Sequence, residues 1–418
     1  RFPFILHSSY PHEILHNWWG NSVYIDFPKG NWAEGLTAYL ADHRIKKQRG
    51  IANEFRRNVL QKYMDFVREG KDFPITEFRS RHSSATKAVG YGKTLMFFHM
   101  LRLQVGDDAF FKALQTFYRD NKFKRASFAD IRDAFEKVVG YSLKVEFDQW
   151  IRRTGAPELL ISNVDIESKG DKYILNLSIK QVQAGPAYKI YLPIVVYMKD
   201  REEPFHARLS MNDKLLKTSL KLDAAPLRID VDPEFDVFRR LDRNEIPPAF
   251  SKAFGSDKVV IVLPASADKR LLQAYKQLGE SWAESQTGQI VIKLDNELAE
   301  LPPDSTIWLL GWKNSFLNKA IDKLKEYDVT LTDIGVQIGR ENVKKDNNSI
   351  VLTAHNPSNT NFSLSWIATD NPAAIPGLGR KLPHYGVYSF LAFEGDEPSN
   401  ILKGQWPTLN SPMSVLIE

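Results

Sequence analysis

The sequence predicts a multidomain α+β protein in three successive parts. A mainly helical lobe is expected over residues 1–157, a β-sandwich with its linker over 158–250, and an α/β domain over 251–418. Three observations predict this. The chain has 418 residues, enough for about three domains. Its apolar residues recur at helical spacing up to about position 157 and at a period of two thereafter. From about residue 251 strand-like and helix-like stretches alternate, which is an α/β pattern.

In the first part, Ser8, Ser9 and Pro11 form a helix start. Ile14, Leu15, Trp18 and Trp19 follow, so this helix is expected to be largely buried. Trp32 to Tyr39 is a second apolar helix-like stretch. Asn53 to Arg68 carries Phe55, Val59, Leu60, Tyr63 and Phe66 on one face, and Asp107 to Asp120 does the same with Phe110, Phe111, Leu114 and Phe117. Thr94 to Leu101 is nearly all apolar and reads as a buried helix. Ser127 with Asp130 three residues on is a capping box, and Gly140 is the stop of the same helix.

In the second part, Leu160 to Ile166, Tyr173 to Ile179, Ile190 to Tyr197, Ala207 to Met211, Leu216 to Leu222 and Leu227 to Val231 read as short strands of a sandwich. Asp232 to Pro248 reads as the exit into a linker. In the third part, strands are expected at Val259 to Leu263, Gln289 to Leu294, Thr306 to Leu310, Ile350 to Thr353, Leu364 to Ile367 and Tyr388 to Phe393. Helices are expected at Lys269 to Ala283 and Phe316 to Tyr327. Gly377-Leu378-Gly379-Arg380-Lys381 lacks a full phosphate-binding pattern and reads as a turn.

The chemistry concentrates in His12-Glu13-Ile14-Leu15-His16 and, further on, Glu34. On a helix His12 and His16 are one turn apart, so both imidazoles can reach one metal ion. Glu34 offers a third ligand. Two His and one Glu leave the fourth position of a tetrahedral zinc open, as a catalytic site requires. Glu13 is placed to act as general base on a zinc-activated water. The expected cofactor is therefore Zn2+.

His12-Glu13-Ile14-Leu15-His16-Asn17-Trp18-Trp19-Gly20-Asn21, then Trp32-Ala33-Glu34-Gly35, resembles the aminopeptidase N family of zinc metallopeptidases. These are gluzincins with a thermolysin-like catalytic core. The resemblance continues at Gly90-Tyr91-Gly92-Lys93-Thr94-Leu95 and runs through Phe147-Asp148-Gln149-Trp150 to Gly155-Ala156-Pro157. It implies zinc-dependent hydrolysis of a peptide substrate, with Tyr91 donating a hydrogen bond to the oxyanion. Two departures stand out. The gap from His16 to Glu34, Asn17 to Ala33, is one residue shorter than usual, which a loop deletion absorbs, and Thr94 follows Lys93 where the family has Gly. The family's Gly-x-Met-Glu-Asn segment, which reads a free amino group, occurs nowhere in the chain. The expectation is a C-terminal portion whose partner is the missing N-terminal portion of the same protein. Two alternatives stand beside the aminopeptidase-like reading: a related endopeptidase, and a silent peptide-binding scaffold that keeps the zinc site. Intact Glu13 argues against the silent one.

Composition limits the other classes. A net charge of +5, with Lys and Arg interleaved among acids, gives no nucleic-acid surface. No apolar run reaches the roughly 18–20 residues of a membrane span. There are no cysteines, hence neither disulfides nor thiolate metal sites, which is compatible with either a cytoplasmic or an exported protein. The location is unknown from the sequence, with periplasmic or secreted slightly favoured over cytoplasmic. His7, His43, His82 and His99 read as structural or solvated. The basic run Phe78-Arg79-Ser80-Arg81-His82 reads as a solvated loop, with contact to the substrate's carboxyl end as the alternative.

Overall fold

The computed structural model describes residues 5–6, 9–67, 70–170, 172–285, 288–408 and 411–417. His7, Ser8 and Arg68 lie outside the described residues. The chain forms two compact units, Arg1–Glu245 with Asn410–Glu418, and Ile246–Leu409. Among the described residues no helix is long and apolar enough to cross a membrane.

The first unit opens on the short helix Ser9–Leu15. A helical run follows, Ala33–Ala38, Tyr39–His43 and Arg44–Gln48, whose middle segment is a π turn. After helix Ala52–Phe66 a second run, Ser84–Lys87, Ala88–Lys93 and Thr94–Val105, also has a π turn in its middle. Helices Asp107–Asn121 and Phe128–Val139 complete the lobe. Their apolar faces meet in one core in which Trp32, Leu36, Phe97, Phe98, Phe110 and Phe117 are almost wholly buried. The Trp32 indole N–H donates to the Ala126 carbonyl at 2.7 Å, which pins the turn just before Glu34. Gly35 lets the Glu34 helix approach the helix Thr94–Val105. A Cβ on Gly35 would lie 2.3 Å from the Thr94 side chain.

The helix Phe128–Val139 starts on the expected capping box. The Ser127 hydroxyl accepts from the Ala129 N–H, and the Asp130 carboxylate accepts from the Ser127 N–H at 2.7 Å. Gly140 ends it in the left-handed conformation. Ser127→Ala is expected to cost about 1 kcal/mol of stability, measurable as a lower urea midpoint with unchanged slope.

The first helix departs from expectation. His12 is buried, but Tyr10, Ile14 and Trp18 are 54%, 40% and 44% exposed. Tyr10 and Ile14 are spaced by four residues and share one face of the helix, Trp18 lies beyond its end at Leu15, and Trp19 is buried as expected. Apolar content alone did not say which of these residues face the core.

Six expected strands are present and make two antiparallel sheets. Leu159–Lys169, Lys172–Gln181 and Leu215–Leu222 form one. Pro226–Val231, Ile190–Met198 and Phe205–Met211 form the other, with Ser414–Leu416 added beside Pro226–Val231. The end of the chain, expected to close the α/β part, thus pairs with the sheets of the first unit. Alternate residues are buried: Leu175, Leu177 and Ile179 in one sheet, Ile190, Leu192, Ile194 and Val196 in the other. The exit segment expected as a linker is firmly held. Buried Arg239 donates to Asp232 at 2.7 Å and, through both terminal nitrogens, to Glu245 at 2.8 and 2.7 Å.

The second unit is built on a seven-stranded sheet. Its order is Gln289–Leu294, Lys258–Leu263, Thr306–Leu310, Asn359–Ala368, Asn348–Asn356, Phe390–Glu394 and Ser399–Gly404. The first four strands are parallel and the rest antiparallel. Thr306–Leu310 is buried at every residue, as a strand covered on both faces must be. At the carboxyl ends of the parallel strands, where such sheets often take ligands, Asp295 occupies the crevice. Its carboxylate accepts from the Ala265 N–H at 2.9 Å and the Ser315 N–H at 2.8 Å. The stretch read as a turn is instead the helix Ile375–Lys381. Pro376 stands in its first turn, and Ile375, Leu378 and Leu382 are buried. Gly379 is there for contact, because a Cβ would lie 2.7 Å from Leu278.

Candidate metal centre

His12 sits in the helix Ser9–Leu15, and His16 follows one turn on, its N–H bonded to the His12 carbonyl. Glu34 lies in the first turn of Ala33–Ala38. The Glu34 carboxylate is 3.4 Å from Nε2 of His12 and 3.4 Å from Nε2 of His16. One ligand atom from each of these three residues lies within 4.8 Å of the others. The shorter gap before Glu34 is taken up without displacing it from the two imidazoles.

The other face of each imidazole is engaged. His12 Nδ1 donates to Asp42 at 3.2 Å, and His16 Nδ1 donates to the Trp19 carbonyl at 2.9 Å. Both rings are thereby fixed with Nε2 toward Glu34, the arrangement in which Nε2 offers a lone pair to a metal. The donor set, two imidazoles and one carboxylate, is one that zinc takes. Asp42 is the residue that sequence reasoning missed. It lies eight residues after Glu34, a spacing that an unbroken α-helix does not bring back to the same face, so the sequence carries no clear signal for it.

The charges agree with the geometry. Burial works against protonation of His12, but hydrogen bonds to Asp42 and Glu34 raise it to about 9. His16 is raised by its bond to Glu34, then by the Trp19 carbonyl, against burial. Burial would raise Glu34, yet the bonds from His12, His16 and Tyr91 hold it well below the usual carboxylate range. Tyr91 stacks on His12 with ring centroids 6.2 Å apart. Burial, then its bond to Glu34, pushes its phenol up, so it stays protonated at neutral pH. Glu13 is exposed and opens into the same cleft, which has a volume of about 910 Å³.

Among the described residues, the other histidines fall outside this group. His43 is buried and accepts from Arg56 at 2.8 Å, and burial, then His99 and Arg56, drives it down to about 3. His99 is bonded to Asp236 at 2.8 Å. His82 is exposed and bonded to Ser80.

Residues 8–150 match the family model described as Peptidase family M1 domain. Aminopeptidase N of Haemophilus influenzae is 28% identical over 174 residues, 40% of this chain and 20% of that protein. Aminopeptidase 2, mitochondrial, of Saccharomyces cerevisiae is 20% identical over 193 residues, 44% of this chain and 20% of that protein. The chain thus spans about a fifth of the length of the curated relatives it matches. A crystal structure of Legionella pneumophila aminopeptidase A in complex with aspartic acid is similar at a TM-score of 0.41 and 18% identity, over 64% of this chain and 29% of that one. Residues 8–150 are thus similar to the Peptidase family M1 domain, and the relatives named above are aminopeptidases.

Proposed function

We propose that the first unit carries a zinc-dependent, aminopeptidase-like site that hydrolyses peptide bonds. His12, His16 and Glu34 would hold the metal, Glu13 would be the general base, and Tyr91 would steady the oxyanion. The observation that carries this reading is the convergence of three donor groups within 4.8 Å, in a cleft that also contains Glu13 and Tyr91. A zinc ion held there supplies Lewis acidity, which lowers the pKa of water towards neutrality. Glu13 takes the proton of the attacking water and passes it to the departing amine. Tyr91 donates its phenolic hydrogen to the oxygen on which negative charge develops. Asp42 and the Trp19 carbonyl keep both imidazoles in the tautomer and orientation that metal binding needs.

The test is metal analysis beside hydrolysis on the full-length chain, with aminoacyl-arylamides and internally quenched peptides as substrates. Stoichiometric zinc is expected, with hydrolysis abolished by a chelator and restored by added zinc. Zinc-free protein after zinc-replete preparation, or hydrolysis indifferent to the chelator, overturns the reading.

A further inference from the structure

The basic run at residues 79–82 separates into two roles. Arg79 donates to the Thr76 carbonyl at 2.8 Å and to the Pro28 carbonyl at 2.9 Å, so it straps backbone to backbone. Arg81 takes no such bond. It lines the same cleft as His12, Glu13 and Glu34, and so does Lys87, four residues before Tyr91. Both are exposed to solvent, and neither side chain forms a hydrogen bond or salt bridge among the described residues. Arg81 lies within electrostatic range of Lys87 and of Tyr91. Asp42, the acid within range of Lys87, already accepts from His12. Two cations within electrostatic range of one another therefore line the cleft with no anion of their own. Elsewhere in the lobe cations are commonly paired, as Arg102 is with Asp107 and Arg132 with Asp133. Like charges held together repel, and a ligand anion between them removes that cost.

We propose that Arg81 and Lys87 form a carboxylate subsite, so that the peptides taken by this cleft carry an anionic group near the bond to be cleaved. This rests on the peptide-hydrolase reading above. The planar guanidinium of Arg81 can hold both oxygens of a carboxylate, while Lys87 adds a point charge. The carboxylate comes either from the C-terminus of a short peptide or from an acidic side chain, and the two sources are separable by experiment.

Binding is measured by calorimetry on the full-length, zinc-loaded chain carrying Glu13→Gln, which prevents turnover. The probes are trialanine, trialanine amide and the amide of Ala-Asp-Ala. Trialanine is expected to bind roughly tenfold or more tightly than its amide, with the preference shrinking as salt is raised. The double variant Arg81→Gln, Lys87→Gln is expected to lose the preference while binding the amide as before. Because both residues are exposed, its melting curve is expected to be unchanged. Recovery of affinity by the amide of Ala-Asp-Ala assigns the subsite to an acidic side chain, and no recovery assigns it to the chain terminus. Acid and amide binding equally well in the parent, or a preference that survives in the double variant, overturns the subsite and leaves the hydrolase reading standing. If none of the three peptides binds, the hydrolase reading falls and the subsite with it.

Discussion

Glu13→Gln is expected to lower peptide hydrolysis roughly 100- to 10,000-fold while zinc content and melting temperature stay at the parent values. The reasoning starts from what Glu13 does not do. It is exposed, lines the cleft, and makes no hydrogen bond or salt bridge among the described residues. Its removal therefore takes away no interaction that holds the fold. It is also not one of the three clustered donors, so metal binding does not depend on it. The amide keeps the size and polarity of the carboxylate but cannot accept and return a proton at neutral pH. The measurement is kcat on a quenched peptide beside metal content by mass spectrometry, both on the full-length chain. A variant that keeps its zinc and hydrolyses within a few-fold of the parent removes Glu13 from the mechanism.

Local chemistry made much of the molecule legible. Ser127 and Asp130 announce a helix start because both halves of the reciprocal capping bond lie within four residues of sequence. The strands from Leu159 to Val231 are readable because one-sided burial forces alternation, as at Leu175, Leu177 and Ile179. His12 and His16 are readable because helical spacing by itself brings their side chains to one face. What escaped depends on contacts distant in sequence. The strand Ser414–Leu416 has no strong pattern, and its pairing with Pro226–Val231 lies far back along the chain. The hairpin strands Val329–Thr332, Gly335–Ile338 and Glu341–Lys344 are four residues each, too short for a period to emerge. Gly377 and Gly379 look like turn residues until Pro398 and Leu278 are seen packed against them. The exposure of Tyr10, Ile14 and Trp18 could not be foreseen, because period tells which residues of a helix share a face and not what that face meets.

Asp42 belongs with these hidden features, and it makes the second large prediction graded. Two α-helical turns take about seven residues, so a residue eight positions after Glu34 would swing off its face in an unbroken α-helix. The π turn Tyr39–His43 takes up the extra residue, and Asp42 comes back to the side where His12 lies. Zinc affinity is then expected to fall in two unequal steps. Asp42→Ala frees the His12 ring but leaves every donor in place, and costs roughly 10- to 100-fold. Glu34→Gln removes the only anionic donor of the three, leaving two neutral imidazoles, and costs more than that. The order is read by competition against a chelator of known affinity, with pH held fixed because the imidazoles and the carboxylate must be deprotonated to bind. If Glu34→Gln binds zinc as tightly as the parent, Glu34 is not a ligand. If Asp42→Ala weakens binding more than Glu34→Gln does, the metal is held chiefly by oriented imidazoles, and the roles given to the two carboxylates must be exchanged.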